Sequence, residues 1–164
     1  MVLILYQVVL VGDYLDNVNI RKATLEDLST IQELNNSLFK LEKENYDPTL
    51  VNDWPLSEEG KDYFSGLINN HYVIVALLDN RIVGYLAGSI EEKSSYVEVQ
   101  YGEINNMLVN DEYRGYGIGK SLINNFKEYC RTKDISNIKV VACYKNKNAI
   151  EFYRKNGFKN LILL

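Results

Sequence analysis

The chain has 164 residues, a length that suits one domain with a hydrophobic core. Its composition is 46% hydrophobic and 24% charged, which is typical of a folded globular protein and argues against a disordered or fibrous one. The formal net charge of −4 argues against nonspecific nucleic-acid binding, which needs a basic surface, and suits a cationic small partner.

The two cysteines and the apolar start of the chain bear on location. Cys130 and Cys143 lack the paired spacing of a zinc site and predict neither a disulfide framework nor a metal centre, so we expect a reducing, cytoplasmic environment. Residues 2–11 are apolar but too few to span a bilayer, and no basic residue precedes them as in a secretory signal. We therefore expect no membrane association. Residues 1–18 should be an extra strand or an upstream-start artefact, and residues 19–164 a single domain.

The first half of the chain predicts a strand, two helices and a hairpin. Residues 20–23 alternate like a short strand, and Thr24 with Asp27 predicts a helix start. Apolar residues at helical spacing continue that helix: Leu28, Ile31, Leu34, Leu38 and Leu41. Residues 46–55 contain both prolines and predict a loop, after which Ser57 caps a second helix. Residues 72–78 and 81–88 read as strands joined by a tight turn at Asp79 and Asn80.

The second half alternates strands and helices. The pattern predicts a strand at 96–109, a helix at 117–131, a strand at 138–143, a helix at 148–155 and a closing strand at 158–164. Helices followed by a strand meander and then by alternating elements predict an α/β or α+β domain with a mixed sheet.

A glycine-spaced segment follows the strand that ends near Val109 and opens the next helix. Glycine lets the backbone approach a ligand closely, and a helix N-terminus favours an anion, so the segment predicts a phosphate or diphosphate ligand. A P-loop would need glycine in the place of Arg114, and a dinucleotide fingerprint would need it at Lys120 or Leu122. Neither motif fits the segment, which reads R-G-Y-G-I-G-K over residues 114–120.

The segment resembles the phosphate-binding motif of the GNAT superfamily of N-acetyltransferases, [QR]-x-x-G-x-[GA], through Arg114, Gly117 and Gly119. Residues 146–158, which read N-x-x-A-x-x-F-Y-x-K-x-G-F, are similar to a second signature of that family. Two signatures in the proper order are more specific than either alone. The resemblance covers residues 20–164. It implies the GNAT fold, a mixed and mostly antiparallel central sheet flanked by helices and splayed between the fourth and fifth strands.

The resemblance also implies acetyl-CoA as co-substrate and a set of residues that bind it. Backbone groups at the end of the fourth strand would pair with the pantetheine arm, amides of the glycine-spaced segment would bind the diphosphate, and a side-chain amide would bind the pantetheine. In this sequence the matching positions are Met107, Leu108 and Val109; Arg114, Gly115, Tyr116, Gly117, Ile118, Gly119 and Lys120; and Asn146, with Asn148 as a second candidate.

Two residues match catalytic positions of the family. Tyr153 matches the tyrosine that donates a proton to the departing CoA sulfur, although a packed aromatic residue would look the same in the sequence. Glu103 stands where several relatives hold a carboxylate that deprotonates the amine, although a solvated strand carboxylate is an equal reading. The amine would then attack the thioester directly in a ternary complex.

The acceptor pocket is implied to lie among the first helices, their loop and the middle strands, with Trp54, Tyr85 and Tyr101 as candidate contacts. Acidic and aromatic residues there, including Glu42, suit a primary amine of a small cationic molecule, a peptide or a protein. Trp54 would alternatively plug the loop. A noncatalytic CoA-binding sensor or scaffold is the competing function. Unpaired strand edges at the chain ends leave a homodimer open.

Overall fold

A five-stranded sheet organises residues 18–159, the part of the chain that this computed structural model describes. The strands are β1 (Asn19–Lys22), β2 (Tyr72–Leu78), β3 (Arg81–Ile90), β4 (Tyr101–Val109) and β5 (Asn137–Val140). They lie in the order β1-β2-β3-β4-β5. The first four are antiparallel neighbours, and β5 runs parallel to β4. The predicted mixed, mostly antiparallel sheet is thereby confirmed.

Four helices flank the sheet: α1 (Leu28–Asn45), α2 (Glu58–Asn70), α3 (Ile118–Thr132) and α4 (Lys147–Lys155). A 3₁₀ turn (Leu25–Asp27) leads into α1, and it begins as the sequence predicts, because the backbone N–H of Thr24 donates to the Asp27 carboxylate at 2.8 Å. At the start of α2, the backbone N–H of Gly60 donates to the Ser57 hydroxyl at 3.1 Å. None of the helices in the described part of the chain has the length and apolar content needed to cross a bilayer.

The two faces of the sheet bury separate apolar clusters. One face packs against α3, whose residues Leu122, Ile123 and Phe126 are fully buried with Ile74 and Leu86 of the sheet. The other face packs against α1 and α2 through Ile31 and Phe64. We refer to these as the α3 face and the α1 face. Most of the domain's stabilisation should come from these two interfaces, since apolar burial dominates folding.

Two strands are shorter than predicted. Residues 96–100 are not in β4, because β3 ends at Ile90, whose partner is Gly102, and earlier residues have no strand to pair with. Tyr96 is accordingly 90% exposed. The last paired residue of β5 is Val140 rather than residue 143, and Val141 is exposed. The closing strand predicted at 158–164 and the extension at 1–18 fall largely outside the described residues; Phe158 and Lys159 are not in a strand.

The strands β4 and β5 separate before β4 ends. Their pairing runs only from Tyr101 with Asn137 to Ile104 with Val140, whereas β4 continues to Val109. A bulge lies at the same place, because Ala87 pairs with Asn106 and Gly88 with Ile104, which leaves one extra residue on β4. Within the described residues, 106–109 therefore have a partner on the β3 side only, and Asn105 is the extra residue of the bulge. We call this stretch the open edge of β4.

Candidate active site

The glycine-spaced segment forms a turn that opens α3 without a capping side chain. Gly115 and Gly117 have φ values of 84° and 81°, a left-handed conformation that favours glycine. Gly117 is the N-cap of α3, and the first helical hydrogen bond is donated by Ser121 to the Gly117 carbonyl at 3.0 Å. The N–H groups of Ile118, Gly119 and Lys120 thus lack a helical acceptor, as at any helix start. This arrangement suits an anion.

Arg114 ties this turn to the open edge of β4. Its Nε donates to the Val109 carbonyl at 2.9 Å, and its guanidinium lies 2.6 Å from the Asp111 carboxylate. The Arg114 side chain therefore holds the turn, while its backbone begins the glycine-spaced segment. Lys120 is exposed beside the same turn, and Tyr116 is partly buried within it.

The predicted pantetheine positions all lie on the open edge. Met107 and Val109 pack against the α3-face cluster, and Leu108 is buried in the α1-face cluster. Their side chains are thus committed to the two cores, while their backbone borders the gap left by β5. An extended arm with amide groups could pair with that backbone as a further strand would.

Asn146 and Asn148 lie at the start of α4. The Asn146 side-chain oxygen accepts a hydrogen bond from the Ala149 N–H at 3.0 Å and so caps the helix. Among residues 18–159 the side-chain NH2 group of Asn146 has no acceptor, so it can donate to a ligand. Asn148 is in the first turn of the same helix.

Tyr153 lies two turns into α4 and packs against the α3-face cluster. Its ring makes edge contacts with Phe152 and Phe158, with centroid distances of 5.3 and 5.5 Å. Its hydroxyl has no hydrogen-bond partner among residues 18–159. Burial, and then the charge of Glu42, raises the pKa of Tyr153 to about 12. The phenol is therefore protonated and able to donate at neutral pH.

Phe152 links α4 to the glycine-spaced turn. A Cβ atom added to Gly119 would lie 2.9 Å from Cζ of Phe152, which is too close for a carbon contact. The absence of a side chain at Gly119 therefore lets α3 and α4 meet at this point.

Glu103 lies in the paired part of β4 and shares the ammonium group of Lys139 on β5 with Glu91. Lys139 Nζ is 3.6 Å from Glu103 Oε2 and 2.5 Å from Glu91 Oε1. These carboxylates raise the pKa of Lys139, with the Glu91 hydrogen bond as the largest cause. The Glu103 side chain is 26% exposed. Glu103 would therefore have to act as the predicted base while its carboxylate is held in this ion pair.

Comparison with known proteins places this site in a family. Residues 30–158, well over half of the chain, match the model of the acetyltransferase (GNAT) family. The chain belongs to the GNAT family. It is 28% identical over 146 residues to an uncharacterized N-acetyltransferase of Methanocaldococcus jannaschii, covering 88% of this chain and 80% of that protein. A second uncharacterized N-acetyltransferase of that organism is 32% identical over 85 residues, or 52% of this chain and 38% of the relative's own length.

The fold matches solved GNAT structures. A predicted acetyltransferase from Clostridium acetobutylicum, solved with acetyl-CoA, superimposes with a TM-score of 0.69 and 23% identity. The match covers 88% of this chain and 91% of that chain. The GNAT fold predicted from the two signatures is confirmed.

The candidate acceptor residues of this GNAT protein are in three different environments. Trp54 stacks on Phe39 at a centroid distance of 5.7 Å, and its indole N–H donates to Glu59 at 3.2 Å. Tyr101 lies at the start of β4, with the Lys139 ammonium 6.0 Å from its ring centroid. Tyr85 is fully buried, so its side chain offers no surface to an acceptor. The Tyr85 hydroxyl instead accepts a hydrogen bond from Asn35 at 2.7 Å.

A polar network around Asn35 is not in the sequence prediction. Asn35 is fully buried, and its NH2 group donates both to Tyr85 and to the Asn106 side-chain oxygen, the latter at 3.1 Å. Asn106, which follows the bulge, donates in turn to the Tyr63 hydroxyl at 3.1 Å. The network joins α1 and α2 to the open edge of β4. Its signal in the sequence is an asparagine four residues after Ile31 on the apolar stripe of α1.

Proposed function

We propose that the protein transfers the acetyl group of acetyl-CoA to a primary amine of a small cationic molecule, a peptide or a protein. The observation that carries the proposal is the uncapped, glycine-lined start of α3 directly beside the open edge of β4. The first feature suits a diphosphate, and the second suits an extended amide-bearing arm. CoA contains both groups in one molecule, with the thioester at the far end of the arm.

Each binding role is part of this proposal. The amides from Gly115 to Lys120 would hold the diphosphate, with the Lys120 ammonium adding positive charge. The backbone of Met107 and Leu108 would pair with the arm, and the NH2 group of Asn146 would donate to one of its carbonyls. Backbone N–H groups of the open edge would donate to the oxyanion of the tetrahedral adduct.

Tyr153 would complete the reaction as proton donor. The amine nitrogen attacks the thioester carbonyl, the C–N bond forms, and the C–S bond breaks. The departing thiolate, with an ordinary pKa of about 8.5, takes a proton from a positioned donor. The protonated, partly buried Tyr153 hydroxyl suits that step. Glu103 stays a predicted base, and the pH dependence of Glu103→Gln is its test.

The net negative charge of the chain and an aromatic group beside α1 support a cationic acceptor. The chain is net acidic at −4, and the loop after α1 brings together Phe39, Trp54 and Tyr63 as an aromatic group. Aromatic faces attract ammonium groups at short range. A family relative that binds acetyl-CoA has the same fold, which supports acetyl as the transferred group.

The proposal is tested by thiol release from acetyl-CoA over polyamines, aminoglycosides, amino acids and peptides with free N-termini. We expect amine-dependent release with at least one of these classes. CoA binding without release across the whole panel would favour the sensor, and absence of CoA binding by calorimetry would overturn the assignment altogether.

Tyr153→Phe is the first variant to measure. The change removes the hydroxyl and keeps the ring contacts with Phe152 and Phe158. We expect kcat to fall about 100-fold or more, the usual contribution of a positioned acid, with KM for acetyl-CoA unchanged. Wild-type kcat in this variant would mean that Tyr153 only packs.

A further inference from the structure

The stripe of α1 that faces the sheet carries two polar residues, Asn35 and Glu42. Ile31, Asn35, Leu38 and Glu42 follow each other at spacings of four, three and four, so they lie on one side of the helix. Ile31 and Asn35 are fully buried, and Leu38 packs against the same cluster. The stripe that carries Glu42 therefore points at the sheet and not at solvent.

The network of Asn35 fixes where this stripe lies relative to the site. Its NH2 group bonds to Asn106, which directly precedes Met107 on the open edge of β4. Seven residues further along the helix, at a rise of about 1.5 Å per residue, Glu42 lies roughly 10 Å beyond Asn35. The stripe thus runs from the open edge of β4 towards the end of α1, where Glu42 is partly buried.

Glu42 and Tyr153 belong to opposite faces of the sheet. Tyr153 packs against the α3-face cluster, and α1 covers the other face. Even so, the Glu42 charge is among the causes that raise the pKa of Tyr153. It acts in the same direction on Tyr85, whose pKa is raised above all by burial. The open edge of β4 is reached from both faces of the sheet, because Asn35 of α1 donates a hydrogen bond to Asn106 and the neighbouring Met107 packs against the α3-face cluster.

The Glu42 carboxylate is unpaired, unlike that of Glu103. Among residues 18–159 no hydrogen bond or ion pair reaches its side chain, whereas Glu103 has Lys139. Burial and then the charge of Asp47 raise the pKa of Glu42 above its ordinary value. The adjacent cation on α1, Lys43, donates a hydrogen bond to the Leu50 carbonyl at 2.6 Å. A partly buried carboxylate without a counter-ion is costly, and a bound ammonium group would relieve that cost.

We propose that Glu42 binds the ammonium group of the acceptor and takes its proton before attack, an inference that rests on the proposed function. The ammonium nitrogen loses one proton to the Glu42 carboxylate and attacks the thioester as a neutral amine. The thiolate takes the proton of the Tyr153 hydroxyl, and the second proton of the adduct nitrogen replaces it on Tyr153. Glu42 then releases its proton to water, so the reaction yields one amide, one thiol and one proton. The amine and the thioester would thus approach the gap from opposite faces of the sheet.

The test compares Glu42→Gln with Glu103→Gln and with Glu44→Gln, a control on the exposed side of α1. For Glu42→Gln we expect kcat/KM for the amine to fall about 100-fold or more, the range of general base catalysis, with CoA affinity by calorimetry unchanged. The acidic limb of the pH profile should disappear in this variant. It should persist in Glu44→Gln. Loss of the limb in Glu103→Gln instead of Glu42→Gln would assign the proton transfer to Glu103 and overturn this inference.

The outcomes separate this inference from the proposed function. If the wild-type protein releases no thiol with any amine, the proposed function fails and the inference fails with it. If the wild type is active and Glu42→Gln keeps its rate and its acidic limb, only the inference fails. Glu42→Asp, which retains a carboxylate on a shorter side chain, should recover part of the rate and restore the limb. Equal loss in Glu42→Asp and Glu42→Gln would overturn the role of the carboxylate.

Discussion

The starts of α2 and α3 differ in one respect that separates stability from function. The start of α2 is completed by Ser57, whose hydroxyl accepts from Gly60 at 3.1 Å. The start of α3 is a left-handed glycine with no capping side chain. A cap on a helix is worth about 1 kcal/mol, so its omission at α3 is a local loss of stability. Helix starts that lack their own acceptor are the ones to examine for an external anion.

A substitution that places a capping carboxylate at the start of α3 should have the largest effect on CoA affinity. Gly117→Asp would place a carboxylate over the free N–H groups of α3, where it competes with the diphosphate and repels it. We expect the Kd for CoA to rise about 100-fold or more, which corresponds to about 2.7 kcal/mol. Calorimetry measures this. Gly66→Asp adds the same charge on α2, where a new side chain meets nothing within 4 Å, and should leave the Kd unchanged.

The turn that leads into α1 differs from the start of α3, because the Asp27 carboxylate there already accepts hydrogen bonds from within the protein. Asp27 accepts two hydrogen bonds from Arg21, at 2.7 and 2.9 Å, and one from the Thr24 N–H. We expect Asp27→Asn to lower the free energy of unfolding by about 2 kcal/mol, because hydrogen bonds to charged groups are lost in a nearly buried position. CoA affinity should be unchanged.

The Asp27 contribution should also depend on pH. The Arg21 hydrogen bond, as the largest cause, lowers the pKa of Asp27 below its ordinary value. The folded state therefore binds this proton less readily, and its stabilisation is present above the unfolded pKa and lost as pH falls through the folded one. Urea unfolding at a series of acidic pH values should show the wild type converging on Asp27→Asn. A constant difference between the two would contradict this assignment.

Asn146 caps the start of α4 and is also a proposed CoA-binding residue. Asn146→Ala removes the cap and the free NH2 group together, so we expect about 1 kcal/mol less stability and about tenfold weaker CoA binding. Asn146→Asp keeps the capping oxygen and loses only the donor. It should therefore bind CoA as weakly as the alanine variant while unfolding like the wild type. Wild-type CoA affinity in both variants would limit Asn146 to the cap.

The smallest effect is expected at α2. Ser57→Ala should lower the free energy of unfolding by about 1 kcal/mol through loss of the cap, with kcat and both KM values unchanged. Thermal unfolding and the thiol-release assay together measure this. Any change in CoA affinity would mean that the two helix starts are less independent than their positions suggest.

Local patterns were sufficient to predict the glycine-spaced turn at the start of α3 and most helices and strands. The β2–β3 hairpin and α3 were predictable because the turn residues and the apolar spacing act within a few residues. The start of β4 was not, because alternation at Val97 and Val99 resembles a strand, yet β3 ends too early to pair with it. A strand needs a partner as well as a pattern.

The ion pairs and buried polar contacts of the site could not be predicted from local patterns, because they join residues far apart in the chain. The ion pair of Glu103 with Lys139 follows from the parallel register of β4 with β5, which alternation alone does not specify. The buried contact of Asn35 with Tyr85 joins residues fifty positions apart. Glu42 was expected in the acceptor pocket, and its partial burial follows from its position on the apolar stripe of α1, where a hydrophobic residue is usual.

The contact between Gly119 and Phe152 gives the site a fixed length. Phe152 precedes the proposed proton donor, and its ring occupies the space that a side chain at residue 119 would need. In the proposed binding mode, the distance between the glycine-spaced turn and the Tyr153 hydroxyl would be set where these two helices touch. A methyl group added at Gly119 would push α4 outwards and move Tyr153 away from the thiol of the proposed complex. A substitution in the glycine-spaced turn would then lower kcat.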